Sequence, residues 1–380
     1  MRSRLTVTAA VGAALLVQVN EMAASAAGWS VASSPNASSN GYNVLDGVAA
    51  VSPTDAWTVG FSRVRSTATK PFRPLIERWD GTAWQLALSA PLPAADDARL
   101  HAVTAISSTN VWAVGEHTAG TSKHGLLEHW DGVRWSVVPP PLGEPLGATL
   151  LGAAAAGATD VWAVGRQDNA DGTYQTLAEH WDGSVWSVTP TPPVTGLNRN
   201  ALFGIVALSR TNVWAVGQLA SQHPSPVIEH WDGTAWTIHS SPPTPFYGNL
   251  EGISALSAAD IWAVGFQGVV STLAEHWDGT KWSVVATPSA AGGNGALSSV
   301  AAISQNDVWA VGLVITGGSQ KTTLSERWDG RQWSTVSSPS PGPLANVLSG
   351  VAGTSSGPLW AIGSRQSQNA TTTLVLRTTA

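Results

Sequence analysis

The hexapeptide DVWAVG at residues 307–312 returns in seven variants along the chain, with its indole at Trp57, Trp112, Trp162, Trp214, Trp262, Trp309 and Trp360. The intervals are 55, 50, 52, 48, 47 and 51 residues. Such a period belongs to a repeat architecture, in which each unit hides apolar faces against its neighbours. A second element follows the first six copies after 15 to 22 residues, as in Glu326-Arg327-Trp328-Asp329-Gly330-Arg331-Gln332-Trp333.

Each unit reads as four short strands. In the fifth they run over 250–256, 261–265, 272–277 and from Trp282 to near Pro288, with tight turns at 257–260 and 278–281. Along the second strand Trp262 and Val264 point one way and Ile261 and Ala263 the other, so neither face is polar and both must be buried. Antiparallel four-stranded sheets that are apolar on both sides are satisfied by radial stacking as propeller blades. A parallel β-helix, the rival solution, has shorter coils and less use for the WDGxxW hairpin. Small Ala and Gly residues on the first strand suit the crowded axis, and the Trp residues suit the wider outer wedges.

Trp pairs flank the Asp-Gly turn at 79/84, 130/135, 181/186, 231/236, 277/282 and 328/333, giving six complete hairpins. The remainder is divided between the chain ends. Trp29-Ser30-Val31 matches the opening of a fourth strand, and 348–354, 359–363 and 373–377 supply the other three. The expectation is an all-β, seven-bladed β-propeller with four antiparallel strands per blade, closed by the amino-terminal strand of the mature chain. An open array would leave an unpaired edge and two bare apolar faces.

Met1 to about Ala27 reads as a signal peptide, with Arg2 and Arg4 before the apolar 5–19 stretch and small residues at 24–26, leaving 28–380 as one propeller domain. The expected location is secreted and extracellular, with no stable membrane insertion after cleavage. There are no Cys, so packing rather than disulfides or thiolate metal sites must hold the chain. A formal charge of −6 and the absence of a basic stripe argue against nucleic acid as a partner. No cofactor or metal motif is present.

The recurrent polar residues read as structure. Glu77, Glu128, Glu179, Glu229, Glu275 and Glu326 share one strand position, which implies a hydrogen bond to an indole or backbone donor in each blade. The next position holds Arg78, His129, His180, His230, His276, Arg327 and Arg377; Arg cannot replace His on a metal. The turn aspartates each precede Gly, which supplies the positive backbone angle of a tight hairpin.

That turn resembles part of the Asp-box of sialidase-like propellers, although no arginine triad accompanies the three tyrosines, Tyr42, Tyr174 and Tyr247. More widely, the DVWAVG and EHWDGxxWSVV repeats resemble bacterial secreted seven-bladed propellers of lectin-like or kelch-like type, including the propeller subunits of secreted actinobacterial toxin particles. The resemblance implies a recognition module for a glycan or a secreted or cell-surface protein.

Function is expected on the variable loops, on the face opposite the short SxxD and WDGxxW turns. The candidate ligand-binding residues are Arg63, Arg65, Arg73, His101, His117, Arg166, Tyr174, His223, Tyr247 and Glu251, and no catalytic residue is assigned. Asp96, Asp97, Glu116, Asp168 and Arg199 lie near them in the loops. The leading expectation is carbohydrate binding without catalysis. A protein-interaction subunit of a secreted assembly, and a glycoside hydrolase or polysaccharide lyase, are the alternatives.

Overall fold

The computed structural model describes residues 28–65, 70–141, 147–194, 198–220, 224–243, 246–268, 271–290, 293–317 and 320–378; the proposed signal peptide lies outside them. Twenty-eight strands form within these stretches, grouped four to a blade. Blade five is representative: an inner strand Gly248–Ser257, a second strand Asp260–Gln267, a third Ser271–Trp277 and an outer strand Trp282–Val284, all antiparallel. The outer strand stops well short of Pro288, because the chain peels away after Val285 to reach the next inner strand. Its hairpin is made by Asp278, whose Oδ1 accepts from the Thr280 amide at 2.8 Å, the Thr280 hydroxyl at 2.6 Å and the Lys281 amide at 2.9 Å. Gly279 sits at φ +92°, where a side chain would be strained.

The blades close into a ring. Each inner strand packs against that of the next blade, and the seventh, Ala345–Ala352, packs against the first, Tyr42–Ser52. The outer strand of blade seven is Trp29–Ala32, which pairs with Thr371–Thr378 in the register Trp29 to Thr378 and Ala32 to Val375. The seven-bladed propeller closed by its two ends is therefore the observed architecture.

The core is a set of seven wedges between blades. In each wedge the second-strand Trp of one blade projects into the hairpin of the next. Trp57 meets Trp130 and Trp135 at 5.2 and 5.4 Å between ring centres, and Trp162 meets Trp231 and Trp236 at 5.3 and 5.5 Å. Trp360 of blade seven meets Trp79 and Trp84 of blade one. Trp309 of blade six finds Trp29, edge to face at 5.3 Å. The period of the Trp residues is thus the period of the wedges.

The Arg or His of each third strand lies over its own blade's second-strand Trp. His180 is 4.2 Å from Trp162 and Arg327 lies 5.3 Å over Trp309. In blades one to six the same side chains reach the residue that opens the second strand: His180 to Asp160 at 2.7 Å, His129 to Asn110 at 2.9 Å and Arg327 to Asp307 at 2.7 Å. Clamping, not metal binding, explains why Arg and His interchange here.

The recurrent glutamates are buried at the seams, and where a donor is seen it comes from an inter-blade linker or a neighbouring strand rather than from an indole. Ser34 donates to Glu77 at 2.9 Å, the Ala90 amide to Glu128 at 3.1 Å and Ser241 to Glu275 at 2.8 Å. Burial lifts the carboxyls of Glu77, Glu229 and Glu326 to about 8 and those of Glu128 and Glu275 to about 7. These groups hold protons in the folded chain that the unfolded chain, at an ordinary 4.5, has released. Their contribution is full below pH 4.5 and is lost as pH rises through 7 to 8. His117, His129, His230 and His239, whose folded basicity burial lowers, oppose this loss while the unfolded chain still titrates near 6.5 and are neutral in both states about one unit higher. The thermal midpoint is therefore expected to fall between about pH 7.5 and 8.5. Glu229→Gln, at a site whose oxygens bond no described residue, should raise the midpoint at the alkaline end and flatten the slope. A midpoint that rises across this window by calorimetry would remove the buried carboxyls as its cause.

Candidate functional site

The two faces of the disc differ in construction. On one, each WDG turn packs on the first turn of its own blade: Gly81 lies against Thr54, Gly132 against Thr109 and Gly183 against Thr159. In five of the six hairpins the Trp before the turn donates to a backbone carbonyl of the same first turn, as Trp79 does to Pro53 at 3.2 Å and Trp277 to Ala258 at 3.1 Å. This face is uniform. The other carries the second-to-third-strand loops and the blade-to-blade connections, where length and chemistry vary.

Along the axis runs a channel of about 400 Å³ lined by all seven inner strands. Every inner strand has the same irregularity there. The register slips by one residue beside Leu45, Leu100, Leu150, Leu202, Leu250, Leu297 and Leu348, so that Asp46, His101, Leu151, Phe203, Glu251, Ser298 and Ser349 are the bulged residues. The bulge explains the Gly that ends each DVWAVG unit: a Cβ on Gly265 would run into the carbonyl oxygen of Asn249. It also explains the small residue that follows each bulge, because a Cβ on Gly47 would lie 2.9 Å from Ala102 Cα of the next blade. The Leu before each bulge is fully buried in all seven blades. Framework positions are thus constant, while the residue facing the channel is acidic, basic, apolar or hydroxylic by turn.

Around the ring from blade five to blade two the bulged side chains are polar: Glu251, Ser298, Ser349, Asp46 and His101. Blades three and four contribute Leu151 and Phe203. Asp46 Oδ2 lies 3.1 Å from His101 Nδ1, and Glu251 accepts from Asn249 Nδ2 at 2.6 Å. Burial pushes the Glu251 carboxyl above the usual carboxylate range, against the pull of Asn249.

From His101 the site continues onto the loop face of blades one to four. The His101 ring lies 6.5 Å from Phe61, which packs on Phe72 at 5.1 Å. Phe72 is covered by Arg63 at 4.2 Å and Arg99 at 4.3 Å, and Arg63 also lies 4.9 Å over Tyr42. Arg99 pairs with Glu116 at 3.1 Å, Glu116 with Lys123 at 3.2 Å, Lys123 with Asp168 at 3.2 Å and Asp168 with Arg166 at 3.1 Å. Arg166 lies 4.7 Å over Tyr174, whose hydroxyl accepts from Gln218 at 3.4 Å. One connected chain of rings and ion pairs thus crosses four blades.

Of the candidates named from sequence, Arg63, His101, Arg166 and Tyr174 belong to this assembly. Arg65 and Arg73 brace loops instead: Arg65 donates to the Asn369 carbonyl of blade seven at 2.9 Å, and Arg73 to the carbonyls of Pro93 and Ala94. His117 lies 3.8 Å from Asp96 and 5.7 Å from His124, and burial and then His124 lower its basicity. His223 lies outside the described residues. Tyr247 and Glu251, read as one patch, line different cavities. Tyr247 faces a cleft with Phe246 and Pro224, Pro226, Pro242 and Pro243, whereas the bulge turns Glu251 to the axis. Asp46, Phe203, Arg99 and Lys123 were not among the candidates. For the first two the available signal was the sevenfold pattern of Leu, any residue, then Gly, Ala or Ser.

No family model matches the chain, and no curated protein matches it. Among solved structures it is similar to YCF48 bound to D1 peptide, at 14% identity over 93% of this chain and 95% of that one, with a TM-score of 0.58. It is similar also to YCF48 from Cyanidioschyzon merolae, at 15% identity over 92% and 98%, with a TM-score of 0.57. A SapL1 lectin in complex with alpha methyl fucoside aligns at 14% identity over 76% and 94%, with a TM-score of 0.46. At these identities the likeness is one of fold. Among the described residues no helix is long and apolar enough to cross a membrane.

Proposed function

We propose that the protein is an exported, non-catalytic recognition propeller that binds a segment of a partner polypeptide across the loop face of blades one to four and the adjoining channel mouth. The observation that carries this reading is the connected surface from Arg63 to Tyr174. A lectin working by repetition needs like pockets in like places, whereas here the chemistry differs from blade to blade and is joined across them. An extended partner is the ligand such a surface fits, since aromatic and guanidinium groups set in a braced, prearranged surface give affinity at low entropic cost. The resemblance to secreted recognition propellers supports a recognition role, and the fold shared with YCF48 bound to D1 peptide supports the same direction. The second of these also favours a protein partner over the glycan expected first from sequence.

Peptide display and a glycan array, run on the same purified protein, separate the two ligands. Selected peptides should lose at least about tenfold in affinity with Arg63→Ala or Arg166→Ala, and keep it with Lys281→Ala on the uniform face. Arg63 is the cleaner probe, because Arg65 and Arg73 hold loops in place. Binding confined to free-sugar-competed glycans, or insensitive to both loop-face variants, would overturn the polypeptide reading.

A further inference from the structure

The channel mouth is split into two halves of opposite character. One wall carries two carboxylates, Asp46 and Glu251, with the hydroxyls of Ser349 and Ser298 between them in ring order; the other carries Leu151 and Phe203. Asp46 meets only the imidazole of His101, and Glu251 only the amide of Asn249, so neither carboxyl is paired with a Lys or Arg among the described residues. Of the cations on the adjoining face, Arg99 and Lys123 are committed to Glu116 and Arg166 to Asp168. A buried carboxyl held by one amide is costly to ionise, and an incoming cation is the group that relieves that cost.

From this geometry we infer that the channel mouth is an anchor pocket for one basic side chain of the partner, a lysine or arginine, whose charge lies between Asp46 and Glu251 and whose alkyl stem lies on Leu151 and Phe203. The inference rests on the polypeptide reading above and specifies the chemistry of its deepest contact. Long basic side chains have the required form, an apolar stem with a charged end, and Phe203 offers a ring face or edge to either part. A pocket of about 400 Å³ holds such a side chain with water to spare. The repeat itself argues for selection at this place. The Leu before and the small residue after each bulge are retained in all seven blades, so packing dictates both neighbours and leaves the channel residue free. Carboxylates stand at only two of those seven positions.

The test uses the full chain with N-acetyl-lysine methylamide and N-acetyl-arginine methylamide as probes, followed by ligand-observed NMR. N-acetyl-glutamate methylamide and methyl glucoside serve as comparisons. At least one basic probe should bind, and the double variant Asp46→Asn, Glu251→Gln should weaken it by about tenfold or more, with Lys281→Ala unchanged. Both substitutions preserve shape, and a retained thermal midpoint certifies the fold; Phe203→Ala, which leaves the charges in place, gives a second and smaller loss. Basic probes that do not bind, that bind equally to the double variant, or that are outcompeted by methyl glucoside overturn the inference. Display-selected peptides that respond to Arg63→Ala but not to the double variant sink the pocket and leave the polypeptide reading standing. Basic probes lost with the double variant, in a protein that selects no peptide, do the reverse.

Discussion

A chain lacking residues 28–33 should melt about 10 °C below the intact protein and aggregate on warming, a cost of roughly 5 kcal/mol. The deletion removes the whole outer strand of blade seven and with it the ladder from Trp29–Thr378 to Ala32–Val375. It also removes a buried indole whose Nε1 donates to Ser325 Oγ at 2.8 Å and whose ring is the partner of Trp309. What remains is a three-stranded blade with a bare edge, of the kind that pairs with other chains. The check is calorimetry together with light scattering. An unchanged midpoint and a monodisperse truncated protein would show that the ring is held elsewhere.

Trp309→Ala should cost about 3 to 5 kcal/mol in urea unfolding, from lost transfer energy and an unfilled cavity. Trp309 is 1% exposed, donates to Asp307 at 2.8 Å and carries the Arg327 guanidinium on its face. Its wedge is the one place where the next blade supplies a single Trp, so Trp29→Ala should be strongly coupled to it. The double variant is expected to lose about 1 kcal/mol less than the sum of the two single changes. Strict additivity, or near-native stability of Trp309→Ala alone, would separate the two rings in solution.

The architecture was legible because one chain states it seven times. Trp spacing, the Asp-Gly turns and the odd Trp29 sufficed for blade number and closure. Less could be read where the determinant is not periodic. The glutamates announced a structural bond in each blade, but Glu229 bonds no described residue, and donors such as Ser34, Ala90 and Ser241 sit in linkers of varying sequence and could not be matched in advance. The inner strands read as plain apolar runs, because a bulge shifts the alternation by one residue and hides inside it. The Gly at the end of each DVWAVG unit was its trace, since that Gly faces the bulged strand's carbonyl. Of the loop candidates, Arg63 and Arg166 were found by charge and by their place in the variable loops. Arg65 and Arg73 have the same charge and do a different job, which only the positions of Asn369, Pro93 and Ala94 reveal.

Blade seven also sets the order in which this molecule can be finished. Its outer strand comes from the beginning of the domain and its other three from the end; Ser30 and Arg377 are hydrogen-bonded across 347 residues. Six blades can form as they emerge, each resting on the one before, but the last must wait for the final strand and then find a segment that has been free since the start. Until that moment Trp309 faces solvent at an unfinished wedge. A chain interrupted before residue 371 would therefore leave Trp29–Ala32 without its partner strand and the ring open at blade seven.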